Sequence, residues 1–345
     1  MLIDGKPSRT IEVLNDYKLS IIDQTLLPHK LEYKGLETIE DAFNAIKLMW
    51  VRGAPLIGIT AAYGMAFSIK NDPSDNNILE SENFLFDARP TAVDLKWATK
   101  KIKESVLSVN TKERFEVAWE LAGNMTEESV SQCSMIGDYG KDLILNKAKD
   151  RECINILTHC NAGWLACVDW GTALSPVYKA FDGGLDLHVW VDETRPRSQG
   201  ALLTSWELNM HGVPNTLIVD NAGGHLMQSG QVDLCIVGSD RTTSNGDVCN
   251  KIGTYLKALS ASDNSVPFYV ALPESSIDLS LSHGINNIPI EERSSKEISH
   301  VKGMNNEGQI TEVRISPDNI DIYNPGFDVT PNKLVTKLIT NRGIC

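Results

Sequence analysis

The sequence predicts an α/β fold: a C-terminal Rossmann-like parallel sheet with helices on both faces, preceded by a smaller, mainly helical N-terminal domain with a few short strands. Two observations carry this. From about residue 150, short continuous apolar runs recur at Ile154–Leu157, Leu187–Val191, Thr216–Val219, Leu234–Val237 and Phe268–Ala271. Helical patterns separate most of these runs, and buried strands alternating with helices make a parallel sheet covered on both faces. Before that point helical periodicity dominates. The division is drawn between residues 1–130 and 131–345.

In chain order, β-prone pieces come first, at Ile11–Leu14, Leu19–Ile22 and Leu31–Tyr33. Helical patterns follow at Ile39–Trp50, Pro55–Ile69, Thr91–Val109 and Lys112–Ile136. Between two of them, NDPSDNNILESENFLFD (Asn71–Asp87) is rich in Asn, Asp, Ser and Glu and reads as a surface loop, with a lid as the alternative. Helices are expected at Leu165–Phe181, Ala201–His211 and Asn250–Ser260. Near the end, Leu334, Val335, Leu338 and Ile339 are spaced for one helix face.

Composition narrows the partners. The chain has 345 residues, 32 basic against 45 acidic, for a net charge of −13. So acidic a surface repels phosphate backbones, which argues against nucleic acid but not against a small phosphorylated molecule in a locally basic pocket. The opening MLIDGKPSRT has no apolar core, so no secretory leader is expected, and no apolar run is long enough to span a membrane. Seven cysteines without a leader read as reduced thiols in a cytoplasmic protein. None of their spacings fits a zinc pattern, so no metal site is expected. No GxGxxG, Walker, GxSxG or HExxH pattern occurs, and no cofactor is expected.

Each apolar run ends in small or polar residues: THCNAG, DETRP, DNAGG, GSDR and LPES. Ligands of open α/β sheets bind at the carboxyl ends of the strands, so five such ends converge on one candidate site. LTHCNAG presents Cys160 beside His159 and Asn161. VRGAPLIG places Arg52 and Gly53 before Pro55 at a helix start, which is either an anion site or a surface arginine beside a tightly packed helix. In DETRPRSQG, Arg195 and Arg197 either bind phosphate or pair with Asp192 and Glu193, and Gln199 reads as a ligand contact. In VGSDRTTSNGDVCNKIG, Asp240 stands where a substrate would lie, or caps a turn, and Lys251 is placed to neutralise a phosphate. A thiol, a carboxylate and several cations without a cofactor suit proton transfer at a carbon next to oxygen, as in sugar isomerisation.

VRGAPLIG, RPTAV (Arg89–Val93), LTHCNAG, DETRPRSQG, DNAGGHLM, VGSDRTTSNGDVCNKIGTY, PFYVALPESSIDL and NPGFDVTPNKLVTKLITNRGI resemble, in that order, the methylthioribose-1-phosphate isomerase family. Ribose-1,5-bisphosphate isomerases and regulatory subunits of the translation initiation exchange factor are related to it. The resemblance runs from about Asp23 to Ile344. It implies isomerisation of 5-methylthioribose 1-phosphate to 5-methylthioribulose 1-phosphate in methionine salvage. It implies Cys160 and Asp240 as the catalytic pair, and Arg52, Gly53, Ala54, Arg89, Gln199, Asn250 and Lys251 as substrate-binding residues. It also implies a homodimer built through the α/β domain. Asp240 would be acid/base at the ring oxygen or the 2-hydroxyl, with a raised pKa. Cys160 would act at C2, as base in an enediol route or as stabiliser in a hydride shift.

Some positions depart from the family. Leu202 stands where many members have Arg, Ala222 where Met is usual, and TTSNGD where IAANGD is usual; Trp164 and Trp170 are bulky additions near the thiol. These changes bear on the 5-substituent, so 5-deoxyribose 1-phosphate and ribose 1,5-bisphosphate are the alternative substrates. A non-catalytic, exchange-factor-like subunit is the alternative role.

Overall fold

The computed structural model describes residues 1–345 except Thr91 and Asp150, and the backbone alone of Asp16. A short hairpin (β1 Leu2–Ile3, β2 Lys6–Pro7) leads into a three-stranded antiparallel sheet (β3 Ile11–Leu14, β4 Lys18–Ile22, β5 Tyr33–Leu36). Helices follow: α1 Ile39–Lys47, α2 Ala54–Asn71, α3 Asp75–Ala88, α4 Val93–Leu107 and α5 Arg114–Ala148. Thr91, the expected first residue of the helix over 91–109, lies outside the described residues.

α2 is the axis of this part. Its one charged side chain is Lys70 in the last turn, and residues Leu56 to Ile69 are all buried. Gly53 caps it at φ 90°, where a Cβ would stand 2.3 Å from the Ala166 carbonyl oxygen, so only glycine brings the helix start this close to the next part of the chain.

The expected loop over Asn71–Asp87 is instead mostly helix α3. Ser74 caps it by accepting from the Asn77 N–H, and Ile78, Ser81, Leu85 and Ala88 form a buried stripe. The polar composition hid that period.

The apolar runs become β6 Ile154–Thr158, β7 Leu187–Asp192, β8 Asn215–Ile218, β9 Leu234–Val237 and, after the short β10 Arg241–Thr243 and β11 Val248–Lys251, β12 Phe268–Ala271. Helices α6 Ser175–Asp182, α7 Ser205–His211, α8 Ala222–Gln228 and α9 Thr254–Asp263 lie between them. The chain ends through β13 Ile277–Asp278, α10 Lys296–Ser299, a hairpin (β14 His300–Met304, β15 Ile310–Arg314), β16 Phe327–Thr330, β17 Lys337–Thr340 and β18 Gly343–Ile344.

Among the described residues, the main sheet has seven strands in the order β18-β17-β12-β9-β6-β7-β8, parallel except for β18. Alternate residues face opposite layers. Ile154, Ile156, Leu234 and Ile236 pack with α5, α6 and α7, while Leu157, Cys235 and Val237 pack with α8 and α9. The chain runs outward from β6 to β8 and then returns to β9 on the other side of β6. The reversal of strand order therefore falls between β6 and β9, and an open α/β sheet has its crevice at such a point.

Three further expectations change. Leu334, Val335, Leu338 and Ile339 do not share a helix face: Leu338 and Ile339 lie on β17, which pairs with β12 in parallel. The β-branched run Val335-Thr336 and the pairing edge of β12 outweigh a four-residue period. Asn250 and Lys251 lie on β11 rather than in a helix, because the chain turns at Gly253 (φ 102°) before α9 begins. Leu165–Phe181 is helical only from Ser175, after a 3-10 turn at Trp164–Ala166. The division expected at 130/131 lies within α5, whose Ala118, Ala122 and Met125 pack in the N-terminal core and whose Ile136 and Ile144 pack under the main sheet.

Candidate active site

One cleft is lined by all nine residues the sequence points to: Arg52, Gly53, Ala54, Arg89, Cys160, Gln199, Asp240, Asn250 and Lys251. Cys160 follows β6 and Asp240 follows β9, so the thiol and the carboxylate stand at the strand ends on either side of the reversal. Arg52, Gly53 and Ala54 come from the start of α2, Arg89 from the end of α3, and Asn250 and Lys251 from β11.

Cys160 sits in the left-handed region at φ 65°, and its backbone is held from both sides. Its N–H donates to Thr194 Oγ1 at 2.8 Å, and its carbonyl accepts from Thr204 Oγ1 at 2.7 Å. Burial pushes the thiol above its ordinary range, against the opposing pull of Arg52 and Lys251. The resting group is therefore S–H.

Asp240 has an exposed surface because it faces the open cleft, yet protein atoms crowd it on the other sides. Desolvation accordingly raises its pKa, while Lys251, Arg89 and Arg52 pull it down. Its backbone N–H donates to the Cys249 carbonyl at 3.0 Å, which sets the turn without using the side chain.

The cations differ in how they are held. Arg52 donates from Nη1 to Asn161 Oδ1 at 2.5 Å and from Nη2 to the Asn161 carbonyl at 3.2 Å. Lys251 donates to the Gly326 carbonyl at 3.0 Å and stands 4.4 Å from the centre of the Phe327 ring. Burial lowers the pKa of both Lys251 and Arg89, as expected for cations held in a cleft without a full set of counter-charges. Gln199 is buried, and among the described residues its Oε1 has no hydrogen-bond partner. Asn250 is fixed by a bond from Nδ2 to Thr254 Oγ1 at 3.0 Å.

Among the described residues, neither Arg195 nor Arg197 forms an ion pair with Asp192 or Glu193. Arg195 donates to the carbonyls of Pro196 and Ile298, and Arg197 lines the cleft while pairing with Glu297 at 3.1 Å. Asp192 pairs instead with His159 Nδ1 at 2.8 Å and Lys257 Nζ at 3.1 Å. Among the described residues, His159, Asp192 and Asp220 are the one trio of side chains close enough to share a metal ion. The Lys257 ammonium already supplies positive charge there.

Sequence reasoning missed Glu291 and Arg293. Both line the cleft, Arg293 bridges Glu291 at 2.8 Å and Glu297 at 2.7 Å, and the charge of Glu291 raises the Asp240 pKa further. They lie in a stretch without a motif, so no local signal marked them.

Residues 50–345 match the Initiation factor 2 subunit family. The chain is 56% identical to the methylthioribose-1-phosphate isomerase of Paramagnetospirillum magneticum, over 100% of this chain and 96% of that one. A solved 5-methylthioribose 1-phosphate isomerase from Pyrococcus horikoshii superposes with TM-score 0.86 at 39% identity, covering 98% of this chain and 92% of that one. The translation initiation factor eIF-2B subunit delta from A. fulgidus superposes with TM-score 0.83 at 37% identity, covering 98% and 96%. The chain belongs to the initiation factor 2 subunit family and, within it, groups with the methylthioribose-1-phosphate isomerases.

Proposed function

We propose that this chain is an aldose–ketose isomerase that converts 5-methylthioribose 1-phosphate to 5-methylthioribulose 1-phosphate, a step of methionine salvage, and that it works as a cytoplasmic homodimer. The observation that carries the reading is the convergence of Cys160 and Asp240 on one cleft with Arg52, Arg89 and Lys251. Relatives of nearly equal length that bear this enzyme's name support it. Among the described residues no helix is long and apolar enough to cross a membrane.

The substrate carries its phosphate on the anomeric oxygen, so its ring does not open as a free aldose does. The overall change adds a proton at the ring oxygen, breaks the bond from that oxygen to C1, moves hydrogen from C2 to C1 and removes the 2-hydroxyl proton. Asp240 exchanges a proton at the ring oxygen or the 2-hydroxyl, a task that a raised carboxyl pKa suits. Cys160, resting as S–H, stands at C2 and donates to the oxygen that gains negative charge there. Arg52, Arg89 and Lys251 neutralise the phosphate dianion and keep it from leaving.

The test is turnover of purified protein with 5-methylthioribose 1-phosphate, 5-deoxyribose 1-phosphate and ribose 1,5-bisphosphate, following ketose formation. The first is expected to give the highest kcat/KM. No turnover of any of the three would leave a non-catalytic subunit as the reading.

A further inference from the structure

A second space opens beside the cleft. It encloses about 320 Å³ and meets the cleft at Met49, Arg52, Arg197 and Gln199, which line both. The inner end is buried, with Gln199 8% exposed and Leu203 4%. The outer rim carries Lys296 of α10, Lys302 of β14 and Glu312 of β15, all exposed to solvent. Lys302 Nζ reaches across to the Thr25 carbonyl at 2.9 Å and so joins the hairpin to the N-terminal part at this rim. A space with a wet rim and a buried end against the cleft has the shape of a passage.

Its charge is opposite to that of the chain. The whole chain carries −13, yet five Lys or Arg side chains and only two carboxylates line this space. Both carboxylates are taken: Glu297 pairs with Arg197 at 3.1 Å and Glu312 with Lys296 at 2.5 Å. The other three cations meet neutral oxygens: Arg52 those of Asn161, Arg195 the carbonyls of Pro196 and Ile298, and Lys302 that of Thr25. Unbalanced cations in a walled space focus the field and concentrate small anions there. Met49, Leu202 and Val301 give the same walls apolar surface, which suits an anion with an apolar tail.

We infer that this space is an anion-binding vestibule through which the substrate reaches the cleft: Lys302 and Arg195 draw in the phosphate of a small organic phosphate, and Arg52, which lines both spaces, receives it. The inference rests on the reading of the substrate as a sugar phosphate. The role is kinetic. Lys302 does not line the cleft, so it sets how fast the phosphate arrives and not what happens to it there.

The test is the association rate of 5-methylthioribulose 1-phosphate, followed by stopped-flow tryptophan fluorescence at two salt concentrations. Lys302→Glu is expected to lower the rate constant about tenfold at an ionic strength of about 0.01 M. The loss should shrink to less than about twofold at about 1 M, where charges are screened beyond about 3 Å. Lys302→Gln should lose about threefold at low salt, and it decides the matter if the Glu variant does not fold. In both, kcat should stay within about twofold of the parent. Lys147→Glu makes the same change of charge on α5, outside both spaces, and should alter the rate by less than about twofold. An unchanged rate in the Lys302 variants at low salt would place the path elsewhere and overturn the inference. An equal loss in Lys147→Glu would overturn it too, by assigning the effect to net charge. Failure of the parent to bind 5-methylthioribulose 1-phosphate at all would defeat the sugar-phosphate reading itself, and the inference with it.

Discussion

The His159 imidazole donates from Nε2 to the backbone oxygen of Ile252, 2.9 Å away. One residue before the thiol is thereby tied to the turn that follows Asn250 and Lys251, while Asp192 grips the other ring nitrogen. The histidine of LTHCNAG is thus a strut between two site-bearing segments. His159→Ala should destabilise the protein by about 2–4 kcal/mol in urea, the scale for breaking a buried hydrogen-bonded charged cluster, and should lower kcat/KM with it. A variant as stable as the parent would show that the strut carries no load.

Phosphate anchoring predicts a binding defect. Replacing Arg52, Arg89 or Lys251 by Ala removes one charged hydrogen bond, about 1.5–3 kcal/mol, and should appear chiefly in KM. Steady-state kinetics decides this, and three unchanged KM values would remove the assignment.

For the proposed catalytic pair, Asp240→Asn and Cys160→Ser should each fold normally and bind product. Each should lose kcat by on the order of 10²–10⁴. The double variant should fall by less than the product of the two losses, since both groups serve one transition state. Full activity in Asp240→Asn would return that residue to a turn.

The pH profile follows from the two perturbed groups. If ionised Asp240 is the active base, kcat/KM falls as the pH drops through its pKa. Desolvation places that fall above the ordinary carboxylate range. Lys251→Met removes an opposing pull and should move the acid limb higher still. The alkaline limb belongs to the Cys160 S–H and should lie above the ordinary thiol range, vanishing in Cys160→Ser.

Glu207 makes stability itself depend on pH. Burial pushes its carboxyl from 4.5 in the unfolded chain up to about 7, so the folded state holds the proton more tightly. The stabilisation is complete below the unfolded value and is lost as the pH rises through the folded one. A shift of that size corresponds to about 3 kcal/mol. Urea titrations from about pH 5 to about pH 8 should show the decline in the parent and a flatter course in Glu207→Gln.

The main sheet was legible because its strands are short, continuous and apolar, and because each ends abruptly in polar residues. That pattern located Cys160 and Asp240 before any geometry was known. α3 was not legible, since four buried positions are diluted by Asn, Asp, Ser and Glu. Strand β17 was misread because Leu334, Val335, Leu338 and Ile339 fit a helical period, and only pairing with its neighbour β12 makes the segment a strand. Glu291, Arg293 and Glu207 escaped for a third reason. Their roles come from what long-range folding sets beside them, and neither spacing nor composition encodes that.

Helix α5 runs unbroken from Arg114 to Ala148, one end in the N-terminal core and the other beneath the main sheet. A rod shared by two cores leaves neither free to melt alone. Losing one core strips a face from the helix, and the weakened helix then withdraws support from the other. Heating should therefore give one heat-absorption peak whose calorimetric and van't Hoff enthalpies agree, and amides in both cores should exchange through the same global opening.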